Sequence, residues 1–287
     1  MESAPSIPWR QVAPGVRRLT LAISVLAFIV GPLLYLLPDQ TDTLFAWTIK
    51  PPLTAAFLGA SYLTALAIEL LAARERLWAR ARIVYPAMLL FTTLTLVATL
   101  LHLDRFHFEA TGLIARGTAY AWFVIYVLAP PVMAILFVLQ LRAPGTDPPA
   151  RDPLPGWFRA ALAAQAIVML AVGATLFIAP QTAGTLWPWT LTPLTGRAVG
   201  AWLLGLGLGI ALAWWENDWQ RIHIALAGNT VAAALWLGAL LRLHDNVQWG
   251  MPAAWVYVVG LFAMLAIGVY GWYMTGWRGI TREAPSV

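Results

Sequence analysis

Apolar runs recur eight times along the chain, at approximately 19–37, 53–73, 83–103, 119–141, 160–180, 198–215, 223–243 and 253–274, separated by short polar stretches. A helix needs about 20 mainly apolar residues to cross the hydrocarbon core of a bilayer. In lipid the backbone groups must be satisfied within the segment, so each run predicts a helix rather than a strand. The pattern therefore predicts an all-α integral membrane protein with eight transmembrane helices. Arg17 and Arg18 stand ahead of the first run as they do in a signal peptide. No small-residue cleavage site follows that run, and it is read as a retained helix.

The polar stretches repeat. "TLFAWTIKPPLTAAFLGA" begins at Thr43 and "TLWPWTLTPLTGRAVGA" at Thr185. At an offset of 142, Gly31 meets Gly173, Pro38 meets Pro180 and Trp47 meets Trp189. One residue is then lost, and at 141 Pro52 meets Pro193, Thr54 meets Thr195 and Gly59 meets Gly200. The register continues through Glu75 with Glu216, Trp78 with Trp219, Arg80 with Arg221 and Asp104 with Asp245. The chain thus reads as a duplication of a four-helix unit. An even number of helices gives both copies the same polarity, which predicts two parallel four-helix repeats related by a pseudo-two-fold axis along the membrane normal. Residues 1–18 form an N-terminal segment, 19–141 and 160–274 the repeats, and 275–287 a tail. Between the repeats, 142–159 is rich in proline and charge and reads as a linker.

Composition strengthens the membrane reading: 60% of the 287 residues are hydrophobic and only 11% charged, against roughly 25% charged in soluble domains. The net charge of +5 is spread between apolar runs, which speaks for topology and against a nucleic-acid partner. With both termini inside, 13 arginines fall on that side and five basic residues outside, so both termini are expected to be cytoplasmic. A single lysine, Lys50, against 17 arginines suggests GC-rich coding and a bacterial cytoplasmic membrane. The absence of cysteine excludes disulfides and thiolate-bound metals.

Candidate chemistry is sparse. Trp47, Trp187 and Trp189 suit headgroup-level anchors at the point where each repeat's second helix begins, with Lys50 and Arg197 adding charge to an outer vestibule. His102 and His244, near the outer ends of equivalent helices, are the only residues placed to ligate a haem or chlorin, and the sequence requires no cofactor. Glu69 lies in the second span, near enough to Arg74 and Arg76 to pair at the inner interface. Asn229 and Thr230 in the seventh span, and Thr92, Thr95 and Thr99 in the third, are polar groups on equivalent helices that would line a ligand or transport path. Gly205, Gly207 and Gly209 favour close approach of the sixth span, and Pro130 and Pro131 interrupt the fourth. The inner loops share Glu75–Trp78–Arg80 and Glu216–Trp219–Arg221, a pattern suited to the inner membrane interface. No nucleophile with a base, phosphate loop or metal-binding cluster is present in the pattern, so no catalytic residue is assigned.

Three functions fit. The first is a non-catalytic membrane protein that binds lipid or a small apolar ligand, or serves as an accessory subunit of a larger membrane complex or as one half of a homodimer. The second is a small-solute transporter or channel with its path between the repeats. The third is a redox subunit holding haem or a pigment on the histidines. A transporter predicts a polar cavity at the midplane.

Overall fold

In the computed structural model, residues 8–283 are described, with side chains through 276. The first seven residues of the N-terminal segment 1–18 and the last four of the tail 275–287 lie outside them. The described residues are helical and contain no strand. Eight helices carry the architecture: α1 (Pro14–Leu36), α2 (Pro52–Arg74), α3 (Val84–Leu100), α4 (Leu113–Leu141), α5 (Gly156–Ile178), α6 (Pro193–Glu216), α7 (Trp219–Arg242) and α8 (Pro252–Glu283). All but α3 are long and apolar enough to cross a membrane. At 17 residues α3 is apolar but shorter, and at 1.5 Å per residue it spans about 25 Å. The apolar run 83–103 overstates it because Leu101 and His102 leave the helix in a turn.

Local sequence explains the helix ends. Proline opens α1, α2, α6 and α8, where its missing N–H costs nothing. Thr192 caps α6 reciprocally with Thr195: the Thr195 amide donates to Thr192 Oγ1 at 3.2 Å, and the Thr192 amide to Thr195 Oγ1 at 2.8 Å. Asn217 ends α6 in the left-handed conformation (φ 47°), and Asp218 at once caps α7 by accepting from the Gln220 amide at 3.0 Å. Two residues therefore reverse the chain between two long helices.

Helix α2 packs on α1 and α7, while α6 packs on α5 and α3. Helices α2, α6 and α7 are half buried or more; α1, α4, α5 and α8 turn most of their surface outward. Phe28, Val124, Val168 and Val259 on those outer helices are exposed, as expected of side chains facing lipid. Glycine permits the closest crossings. A Cβ on Gly59 would stand 2.3 Å from the Tyr35 nitrogen and 2.8 Å from the Gly31 oxygen; one on Gly200 would stand 2.7 Å from the Gly173 oxygen. Backbone touches backbone at both crossings, α1 with α2 and α5 with α6. The glycine series on α6 works the same way against side chains: Gly205 meets Phe91 Cβ at 2.9 Å and Gly207 meets Met169 Cβ at 3.0 Å.

The tryptophans correct one expectation. Trp47, Trp187 and Trp189 are 3%, 7% and 1% exposed, so they are core residues and not rings lying among headgroups. The loops that carry them fold inward over the bundle end. Trp47 packs on Phe45 and Trp122 (4.7 and 4.9 Å between centroids), and Trp189 donates from Nε1 to Thr54 Oγ1 at 2.9 Å. At the arginine-rich end, Trp78 and Trp219 are buried as well, against Tyr85 and Phe158 respectively. The exposed rings include Trp157, Trp215, Trp255 and Trp272.

Candidate functional site

A cavity of about 110 Å³, open at its mouth, lies between α2, α3, α6 and α7, with parts of α1 and α4 as a further wall. Small residues create the space: Ala65 and Ala87 face it, and so does Gly209. Lining residues recur at the sequence offset of 141. Ala65 and Leu206, Ile68 and Gly209, Glu69 and Ile210, Val84 and Ala225, and Met88 and Asn229 are each 141 positions apart. On the α1 and α4 side Ile23, Leu26, Ile125 and Ala129 are only half buried while Ala27 and Tyr126 are buried, and those two helices touch lightly. Pro130, next to Ala129, cannot donate to the Tyr126 carbonyl one turn back, which loosens α4 beside the cavity.

The lining is aliphatic and aromatic with a few polar groups, most of them occupied. Tyr62 and Tyr126 hydrogen-bond to each other at 2.6 Å. Asn229 donates from Nδ2 to the Met264 carbonyl at 2.9 Å and accepts at Oδ1 from Gln165 Nε2 at 2.5 Å, tying α7 to α8 and α5. Thr92 bonds back to the Leu89 carbonyl at 3.2 Å. Glu69 is the exception. It is 3% exposed, and its Oε2 has no hydrogen-bond partner. The expected pairing with Arg74 and Arg76 is not formed, because both arginines point out at the end of the helix and are exposed.

Of the polar residues singled out for a path, Glu69, Thr92 and Asn229 meet at the cavity. The others do not reach it. Thr95 and Thr99 bond to the Phe91 and Thr95 carbonyls at 2.9 and 2.8 Å, and Thr230 to the Leu226 carbonyl at 2.9 Å. Such back-bonding satisfies a hydroxyl inside a helix without a ligand.

The histidines are engaged separately. Arg197 Nη1 donates to His102 Nε2 at 2.8 Å, whereas His244 is exposed and sits 3.3 Å from Asp245. Each Nε2 is thus turned to a charged neighbour. No group of three or more His, Asp or Glu side chains gathers as a metal site among the described residues. Lys50 is exposed, while Arg197 turns to His102.

The arginine-rich end is closed by ion pairs that join the halves. Arg82 grips the Glu216 carboxylate with two nitrogens, Nη2 to Oε2 at 2.5 Å, and reaches Asp147 Oδ2 through Nη1 at 2.6 Å. Arg221 adds a bond to Glu216 at 3.0 Å. His223 Nε2 lies 3.1 Å from Glu75 Oε1. Glu75 and Glu216 are 141 apart, and so are Arg82 and His223. The two contacts therefore use matching register positions in opposite halves. The linker is tied down here too: Asp218 Oδ2 accepts from the Arg151 amide at 2.8 Å and Asn217 Oδ1 from the Leu154 amide at 3.2 Å.

At Glu75 burial favours the neutral acid, but the hydrogen bond and charge of His223 together with the charge of Arg80 outweigh it and hold the carboxyl below the usual range. A depressed carboxylate contributes stability above its unfolded pKa and loses it as pH falls through the folded value. Acidification below about pH 4 should therefore lower the melting temperature, and Glu75→Gln should flatten that acid limb. A melting profile in which wild type and variant fall in parallel would show that the pair contributes nothing.

Several of these residues escape pattern reading. Arg82 and His223 stand in register but differ in type, so matching identities passes over them. Tyr62 has leucine, Leu203, at its register mate, and Gln165 is one polar residue in an apolar run. Comparisons with protein-family profiles, curated proteins and solved structures found no match for the chain.

Proposed function

We propose that this protein is a non-catalytic multi-pass membrane protein that binds a membrane-dissolved apolar ligand between two four-helix repeats. The central cavity carries the reading: it lies among six helices, its wall is apolar, and one side chain in it is left without a partner. A small polar solute would need a polar path, and nearly every polar group at the cavity is already bonded within the protein, which favours apolar binding over solute transport. The ligand enters sideways from the bilayer between α1 and α4, which touch only lightly beside the cavity.

The architecture proposed is eight crossing helices, α3 included, since 17 residues is the lower limit for a span. The parallel two-fold arrangement is supported by three matching features. These are the α1–α2 and α5–α6 glycine crossings, the reciprocal ion pairs at the arginine-rich end, and the cavity residues paired at an offset of 141. Arginine distribution supports placing that end, with both termini, in the cytoplasm of a bacterial cell.

A Cβ on Gly209 would meet only Ala87 Cβ, at 3.8 Å, so a larger side chain there grows into the cavity. Gly209→Leu should fold, gaining about 0.5–1 kcal/mol of helix propensity, and should lose the ligand. Native mass spectrometry of gently purified wild type is expected to show a bound apolar molecule that the variant lacks. Identical adduct patterns in the two proteins would refute the reading.

A further inference from the structure

Resting on the cavity reading above, the geometry points to a lipophilic organic cation, a protonated amine or its quaternary equivalent, as the class of molecule this cavity selects. Glu69 is the one residue among those lining the cavity that belongs to the charged types Asp, Glu, Lys, Arg and His. Polar neighbours on the wall are bonded within the protein: Asn229 to Gln165 and Met264, Thr92 to its own helix, and the two tyrosines to each other. Among the residues lining the cavity, the buried polar atom left unfilled is Glu69 Oε2. Burying an unpaired carboxylate is costly, and the basic side chains that would offset it are committed or pointed away. Arg82 and Arg221 hold Glu216, and Arg74 and Arg76 are exposed. A cation that itself prefers lipid to water brings the missing charge without bringing water.

The rest of the wall suits the same guest. Tyr62, Phe91, Tyr126 and Trp202 form one aromatic surface, with Phe91 and Trp202 centroids 3.9 Å apart and Tyr62 edge-on to Trp202 at 4.9 Å. Aromatic faces attract cations with weak hydration, and tryptophan does so best. Tyr62 lies seven residues before Glu69, two turns along the same face of α2, so charge and aromatic wall look into one space. A neutral lipid would use the aliphatic surface alone and make no use of the carboxyl.

Cation and proton compete for Glu69, so acid weakens binding. The titratable and charged groups on the elements around it are few. Tyr62 is on its own helix, Tyr126 is across the cavity on α4, and Tyr85 is on α3. Toward the arginine-rich end lie the Glu75–His223 pair and Arg82 with Glu216 and Arg221, and exposed Arg17 and Arg18 are at that end of α1. Helix α6 presents Gly209 and Ile210 to the cavity, and α7 presents Ile224 and Ala225.

The test uses the full chain in nanodiscs of zwitterionic lipid, with radiolabelled tetraphenylphosphonium and neutral triphenylmethanol as probes. Wild type should bind the cation at least about tenfold more tightly than the alcohol, a difference of 1.4 kcal/mol, with the cation's affinity falling as pH is lowered. Glu69→Gln should lose that preference and the pH dependence while still binding triphenylmethanol. Glu69→Asp should restore both in part. Equal affinity for the two probes in wild type, or unchanged cation affinity in Glu69→Gln, overturns the cation assignment and leaves the cavity reading standing. Failure of wild type to bind either probe overturns both.

Discussion

Gly59→Leu is expected to leave little folded protein, whereas Gly209→Leu, the same substitution on another central helix, melts within a few degrees of wild type. A Cβ on Gly59 overlaps backbone atoms of α1, with Tyr35 N at 2.3 Å and Gly31 O at 2.8 Å, and no side-chain rotation relieves contact with a backbone. Helices α1 and α2 must separate, which removes the crossing at Leu34, itself fully buried. Overpacking a core ordinarily costs about 1–3 kcal/mol, and a clash with two backbone groups belongs at or above the top of that range. At Gly209 the same atom meets only a methyl group in ordinary contact. Yield of monodisperse protein and a melting curve for each variant make the check. Normal recovery of Gly59→Leu would show that the α1–α2 crossing is not fixed by contact between backbones.

Arg82→Ala has the second-largest expected effect, a loss of about 2 kcal/mol. Removing one partner of a buried pair costs about 3–5 kcal/mol. Arg82 is 28% exposed at its side chain, and Arg221 still serves Glu216, so screening and the remaining bond reduce that figure. What is lost is specific: the link from the first half to Glu216, whose side chain is 6% exposed, and the link to Asp147 in the linker. Double-mutant cycles should show coupling between Arg82 and Glu216 and none between Arg82 and His223, since the two ion pairs share no partner. An Arg82→Ala protein that melts with wild type would make the clasp incidental to the joining of the halves.

The helices and the offset of 141 were legible because lipid forces long apolar runs, and because proline, glycine and tryptophan are too distinctive to coincide by composition. Gly59 and Gly200 sit at backbone crossings for the reason that the same register position recurs. Glu69 stood out as an ionisable residue in an apolar run. Its surroundings did not, because an extended glutamate four or five residues from exposed arginines can point either way along a helix. Trp47 and Trp189 were ambiguous in a similar manner. A ring with one N–H fits a headgroup layer or a core with a hydroxyl in reach, and the fold of the preceding loop decides which. The cavity itself was illegible. Ala65, Ala87 and Gly209 read as packing residues in a sequence, and only the paths of six helices show the space left beside them.

Photolabelling in liposomes tests the central claim most directly. An apolar diazirine dissolved in the bilayer reaches every lipid-facing side chain, such as Phe28 and Val124, whatever the function. If the cavity admits membrane-dissolved molecules, adducts are also expected on its buried wall, at Tyr62, Glu69 and Ile210, and Gly209→Leu should remove those three sites alone. Adducts confined to lipid-facing residues in the wild type would contradict the account.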